Sequence, residues 1–295
     1  FIKLRDTNLE NFYINRFGKK LYQLFFEGYT EKVWGRHPRE ISADWGSQRI
    51  KGLSIKAILN DIFRKLMPKK TQEIETSLIE SFYYPKFGPG HLWETVADDF
   101  RKMGGKIVFD TDVIKIIKND HKILGLMSVN KYYDADIVIS SMPIKDLINA
   151  FEDSDSQIKE IANGLPYRDF ITIGILTDRL ALRNTTSIPT INDIVPDCWI
   201  YIQDTHVKLG RIQIFNNWSP YMVKDIDNTV WIGLEYFCNE GDSFWNMDPL
   251  DAKQLAISEL IKIGVLNQEA NILDFHREKV QKAYPAYFDT YAQMP

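Results

Sequence analysis

The chain has 295 residues, is 44% hydrophobic and 26% charged, and carries a formal net charge of −4. That length suits a globular protein with a large buried core in one or two domains. The acidic balance, with no Lys/Arg stripe, argues against a nucleic-acid partner.

No apolar run approaches the length of a membrane span, and no signal peptide is legible. Cys198 and Cys238 lie far apart without metal-ligand spacing, which fits reduced core thiols in a cytoplasmic protein. The expected metal complement is none.

Residues 1–80 read as mainly helical. Asn8 or Asn11 could cap one helix running to Gly35, with Phe12, Phe17, Leu21, Leu24 and Phe25 at helical spacing. A second stretch starts near Ser42 and a third covers SIKAILNDIFRKLM. The segment Tyr84–Ile144 is the best patterned part of the chain. Phe87-Gly88-Pro89-Gly90 is a tight turn. A helix follows with Leu92, Val96, Phe100 and Met103 on one face, and Gly104-Gly105 ends it. Three strand-like runs come next, KIVFDTDVIKII, KILGLMSV and YYDADIVISS, expected to pack on that helix. His91 sits where the positive helix end would favour an anionic ligand, although an exposed turn histidine is the simpler reading.

Beyond Pro143, residues 144–168 read as helix and loop, and FITIGILTD as the centre of a sheet. CWIYIQD, GRIQIFNNW and TVWIGLEYFC read as further strands, arranged antiparallel. Glu235, the lone carboxylate in an apolar strand, is either a partnered buried acid or outward-facing. A helix begins near Asp248 or Asp251 and ends at Gly264, and a last strand enters Ala283-Tyr284-Pro285. No paired carboxylates, G-x-S-x-G or Cys/His pair mark a hydrolase, and no catalytic residue is assigned.

Tyr84-Pro85-Lys86-x-Gly88-x-Gly90, the glycine-ended helix, Thr111-x-Val113 and Ile139-Ser140-Ser141-Met142-Pro143 together resemble the middle of flavin-dependent amine-oxidase-type proteins. That superfamily includes protoporphyrinogen oxidases and UDP-galactopyranose mutases. The resemblance implies FAD as cofactor, bordered by Gly88, Gly90, His91, Val113, Ser141, Met142 and Pro143.

A second segment, Tyr29-Thr30-x-Lys32-x-Trp34-Gly35 with Arg49 downstream, is similar to the nucleotide-sugar segment of the mutases. It implies substrate contacts from Tyr29, Lys32, Trp34 and Arg49, with Arg211, Tyr284 and Tyr287 approaching a diphosphate. An aromatic face can stack on a base and a guanidinium can fork onto phosphate oxygens. Read as residues alone, Trp34 and Trp45 are equally core aromatics, Lys32 and Arg49 surface charges, and Tyr284 and Tyr287 sheet-edge rings. The second half also looks like bacterial amine-oxidase-type proteins found with polysaccharide (including LPS) synthesis.

The expected class is therefore α+β, an α/β flavoprotein fragment. A helical part of the substrate domain would occupy 1–82, a central β-layer of the FAD-binding domain 83–148, and a mixed, mostly antiparallel substrate sheet with helices 149–295. The chain contains no G-x-G-x-x-G, the loop that would place the FAD pyrophosphate at a helix N-terminus. It is accordingly expected to be a piece of a longer FAD-dependent oxidoreductase or mutase-like isomerase, inactive and without FAD by itself. The partner would be a small molecule such as a nucleotide sugar. The alternative is a non-catalytic ligand- or partner-binding module that has lost the cofactor site.

Overall fold

The computed structural model describes residues 5–49 and 82–286. The predicted helix SIKAILNDIFRKLM and Tyr287 lie outside the described residues. The chain divides into two compact units, one of residues 1–92 and 168–283, the other of residues 93–167 and 284–295.

The first unit opens with α1 (Leu9–Phe17), capped by the Asn8 side chain, which accepts from the Asn11 amide. Gly18 at φ 84 ends it, so the single long helix expected from periodicity is broken. α2 (Lys19–Tyr22), a π-helical turn (Gln23–Glu27) and α3 (Gly28–Trp34) follow. A π turn holds an extra residue and shifts the phase of what comes after. Phe12 and Phe17, before the break at Gly18, are buried, while Leu21, Leu24 and Phe25, after it, are exposed. Gly35, in the left-handed region at φ 66, closes α3. α4 (Ala43–Arg49) completes this helical part.

The sheet of the first unit contains β4 (Tyr167–Thr177), β5 (Trp199–Tyr201), β6 (Arg211–Ile214), β7 (Val230–Cys238) and β8 (Ile272–Pro285), in the order β5-β6-β7-β4-β8. The β5–β6, β6–β7 and β7–β4 pairs are antiparallel, as the turn spacing suggested. The run GRIQIFNNW is shorter as a strand than predicted, because Phe215–Trp218 forms a helical turn, α8. Its amides explain the change. Asn216 Nδ2 donates to Thr229 O and its Oδ1 accepts from Trp231 N, while Asn217 Nδ2 donates to the carbonyls of Val195 and Asp197. These bonds compete with ladder pairing.

Side chains alternate across this sheet. Ile171, Ile173, Ile175, Ile212, Ile214, Ile232 and Leu234 are fully buried on one face. α9 (Pro249–Lys262), capped by Asp248, lays Ala252, Ala256 and Leu260 on them. Each such aliphatic side chain contributes about 1.5–3 kcal/mol by leaving water. The opposite face carries Trp199, Tyr201, Arg211, Gln213, Glu235 and Phe237, and it is the one that matters below.

In the second unit, β1 (Val113–Asn119), β2 (Lys122–Ser128) and β3 (Tyr132–Asp134) form an antiparallel sheet in sequence order. Lys115 pairs with Glu152 and Lys118 with Asp153. α6 (Ile144–Asn149) and α7 (Ser156–Asn163, capped by Asp155) complete it.

Two expectations fail here. The helix after the glycine turn, α5 (Pro89–Lys102), buries none of its residues, so the strands do not pack on it. The apolar runs 106–112 and 135–141 are not strands, because an extended segment becomes one only when a neighbour takes its backbone bonds. Val108, Phe109, Ile137 and Ile139 stand in solvent, Ile139 at 94% exposure.

Candidate functional site

Of the sequence-predicted substrate residues of the first unit, Tyr29 and Arg211 border a row of aromatic rings along an edge of its sheet. Trp199 and Tyr201 stand two apart on edge strand β5 and share a face, their rings almost parallel (11°) with centroids 6.3 Å apart. At one end Tyr29, from α3, meets Tyr201 edge-on at 5.4 Å. At the other, Trp199 meets Trp218 at 6.0 Å, and Tyr84 stacks on Trp218 at 5.0 Å with Phe82 beside it. A continuous row of aromatic rings thus connects the Tyr29 segment to the Tyr84 segment. Burial of Tyr84, and then the nearby Cys198 thiol, raise its phenol above the ordinary value.

Inward of this row, the β5–β6–β7 register sets Tyr201 opposite Arg211 and Arg211 opposite Glu235. The Arg211 guanidinium lies 4.9 Å from the centroids of both Trp199 and Phe237 and pairs with Glu235. Gln213 Nε2 donates to Glu235 Oε1 at 2.7 Å. Glu235 is 4% exposed, so of the two sequence readings it is the partnered buried acid. Arg211 directs charge at this carboxylate, which contrasts with the diphosphate contact expected of it.

Lys32 and Trp34 are held inside the unit. Lys32 Nζ donates to the carbonyls of Ile202 (3.0 Å), Asp204 (2.7 Å) and Leu209 (2.9 Å). Its three donors are spent on backbone, and burial lowers its pKa. Trp34 is buried edge-to-face against Trp45 at 5.6 Å. Arg168, which sequence reasoning missed, fixes this helix from the sheet. Its Nε donates to Val33 O at 2.8 Å and Nη1 to Asn239 Oδ1 at 2.6 Å, and burial depresses its pKa. Arg49 closes α4, and its side chain is not among the described atoms.

Gly88 is buried at φ 87 with the Met222 side chain against it, and Ser219 Oγ donates to Lys86 O at 2.6 Å. Gly90 faces open space, and exposed His91 packs on Phe87 at 5.1 Å. These three predicted cofactor residues belong to the first unit; Val113, Ser141, Met142 and Pro143 belong to the second, as does Tyr284 at the end of β8. Val113 opens β1, Met142 N bonds Ser140 Oγ, and Pro143 precedes α6.

Glu10, Glu27 and His37 gather their ligand-type atoms within 4.8 Å of one another. The Arg39 amide and Nε both donate to His37 Nδ1, and Arg39 lies 3.9 Å from Glu10. A fixed cation beside the cluster makes it an ion-pair network rather than a metal centre.

Burial dominates the chemistry of the thiols. Both cysteines are free, and Cys238, behind the sheet, has its pKa pushed up to about 11. It is inert as a nucleophile at neutral pH. A cavity of about 320 Å³ lies beside it, lined by Lys32, Lys208, Tyr236 and Phe244 among others. Among the described residues no helix is long and apolar enough to cross a membrane.

No family model matches the chain, and no curated protein matches it. Solved structures do. A reduced UDP-galactopyranose mutase superposes with a TM-score of 0.75 at 18% identity, over 98% of this chain and 58% of that one. A protein described as a protoporphyrinogen oxidase from Exiguobacterium sp. 255-15 gives 0.65 at 13% identity, over 98% and 58%. Cyclohexylamine oxidase from Brevibacterium oxydans IH-35A gives 0.55 at 10%, over 93% and 53%. The chain therefore spans less than three fifths of each of these structures, and over that span it has the fold shared by UDP-galactopyranose mutase and amine-oxidase-type proteins.

Proposed function

We propose that this chain is the substrate-side portion of an FAD-dependent enzyme of the amine-oxidase type. One observation carries the reading. Leu92, Trp93, Val96 and Phe100 of α5, with Met103, Val108, Phe109, Ile137 and Ile139, are each exposed large apolar side chains on the segments that the resemblance assigns to the FAD domain. Exposure on that scale marks an interaction surface. A cofactor-binding layer of strands and helices supplies both the apolar cover and the backbone partners that the runs 106–112 and 135–141 lack.

The residues present fit the flavin side of such a site. Gly90 leaves backbone bare, with nothing within 4 Å of where a Cβ would stand, at the start of a helix whose N-terminus favours negative charge. In this reading Gly88, Gly90, His91, Val113, Ser141, Met142 and Pro143 border the cofactor. The pyrophosphate cradle is not among them, since the sequence holds no G-x-G-x-x-G. Bound flavin supplies the hydride or electron chemistry. This chain positions a substrate on the aromatic row and keeps water from one side of it.

The finer reading is a redox-neutral, mutase-like isomerisation of a nucleotide sugar, as in polysaccharide synthesis. The Tyr29–Trp34 segment and the superposition on UDP-galactopyranose mutase support it. Tyr29, Arg49, Tyr284 and Tyr287 are its proposed substrate contacts, with Lys32, Trp34 and Arg168 holding α3 in place. The missing glycine loop is what favours the alternative, a cofactor-free binding module.

The test is the absorbance spectrum of purified full-length protein. A flavin band is expected, and a colourless, cofactor-free product sinks the enzyme reading. Titrating UDP-galactose into oxidised and reduced protein then tests the finer one. Binding is expected under at least one condition, and failure under both removes it.

A further inference from the structure

The face proposed above to hold the substrate has an unusual charge pattern, and the inference rests on that assignment. Arg211 is the natural anion-binding group there, yet its charge is cancelled inside the sheet by Glu235. The two side chains are 13% and 5% exposed, and Gln213 donates to the same carboxylate. Beside this neutral pair, the near-parallel rings of Trp199 and Tyr201 are 37% and 54% exposed. A phosphate meets no net positive field here, and the Glu235 carboxylate repels it.

We propose that this part of the face takes the uncharged pyranose ring of the substrate, and that Glu235 sets this selectivity by holding Arg211 in a neutral pair. A pyranose suits the surface in two ways. Its axial C–H groups, slightly positive, lie on the negative faces of Trp199 and Tyr201. Its hydroxyls can donate to the amide oxygen of Gln213, whose Nε2 is already given to the Glu235 carboxylate. The diphosphate of a nucleotide sugar is then held by other cations than Arg211. Trp199 is the stacking residue; Glu235 is a positioning residue that acts through Arg211.

The experiment uses full-length protein with two probes, methyl β-galactopyranoside and inorganic pyrophosphate. Saturation-transfer NMR and tryptophan fluorescence follow the first, and calorimetry at two salt concentrations follows the second. The glycoside is expected to show saturation transfer at its ring protons, and Trp199→Leu to weaken it by about tenfold. Glu235→Gln should gain salt-sensitive pyrophosphate binding of about tenfold over the parent, and Arg211→Gln in that background should remove the gain.

A glycoside signal unchanged by Trp199→Leu overturns the proposal. So does pyrophosphate binding by the parent protein that Arg211→Gln abolishes. If Glu235→Gln fails to fold, the Trp199 comparison decides alone. The flavin content of the same samples separates the readings: a colourless protein that still binds the glycoside fails only the enzyme assignment. A yellow one that ignores the glycoside fails only this proposal.

Discussion

Lys32 and Glu259 grip the same residue from its two ends. The Leu209 carbonyl accepts from Lys32 Nζ at 2.9 Å, and the Leu209 amide donates to Glu259 Oε2 at 3.0 Å. The second carboxylate oxygen takes the Lys208 amide at 2.6 Å. One helix in front of the sheet and one behind it thereby fix the β5–β6 connection, which sets where Trp199 and Tyr201 stand.

Removing the front half of this clamp leaves three carbonyls without their charged donor. Lys32→Met is expected to lower unfolding free energy by about 2–3 kcal/mol, read from urea denaturation. Lys32→Arg should not restore it, because a planar fork cannot reach three carbonyls arranged around one ammonium. An unchanged midpoint for Lys32→Met would show that the bonds are not holding the loop.

The two glycines flanking the candidate site should behave oppositely. At Gly35, φ is 66 and the Arg168 guanidinium lies 3.3 Å from an added Cβ. Gly35→Ala is expected to cost about 1–2 kcal/mol. Gly90→Ala meets open space in a helix and should be neutral or stabilising by up to about 1 kcal/mol. In full-length protein the same Gly90→Ala should nonetheless lower flavin content, measured as absorbance per protein, if that backbone lies against the cofactor.

The Arg211–Glu235 pair should show strong coupling. Either residue mutated alone to Leu strands a buried charge and is expected to destabilise by about 3–5 kcal/mol. The double substitution should lose much less, since nothing charged is left behind. Additive losses in a thermal or chemical unfolding cycle would mean that the two side chains act independently.

Cys238 gives a pH signature. Its thiol is raised from 9.0 to about 11 by burial, so between those values the folded state keeps a proton that the unfolded chain has released. The associated stability is fully present below pH 9 and lost as pH rises toward 11, up to about 2.7 kcal/mol. Cys238→Ala should flatten that part of the stability profile relative to the parent. Identical slopes would show that the thiol titrates normally.

Charge placed on α5 separates folding from assembly. Val96→Glu with Phe100→Glu alters side chains that are already exposed. The unfolding midpoint of the 295-residue chain should stay within about 0.5 kcal/mol of the parent. If the proposed flavin-binding parent protein is as inferred above, it should lose its flavin on this change, and retained flavin would show that this stripe is not where the cofactor layer sits.

Local chemistry was legible wherever a residue acts on its own neighbours. Asn8 and Asp248 cap the helices they precede, and Gly35 ends α3. The apolar run through Ile171–Ile175 lies inside the sheet with β7 and β8 on either side. Roles set by distant partners were not legible. Nothing near Lys32 in the sequence announces that its donors go to the 202–209 loop. No spacing rule predicts that Trp199 and Trp218 would join Tyr29 to Tyr84. The length of the strands around 106–141 failed for a different reason: apolar patterning reports a wish to be covered, whereas pairing requires the neighbour itself.

The extra residue looped into the Gln23–Glu27 turn acts as a gear tooth. Each residue of a regular helix advances side chains by about 100°, so deleting one there to restore ordinary winding would turn Gly28–Trp34 by that angle. Tyr29 would swing off Tyr201 and Lys32 away from its carbonyls together. The irregular turn is thus what times α3 to the sheet, and variants of that one loop should retune the mouth of the site without any change to the residues lining it.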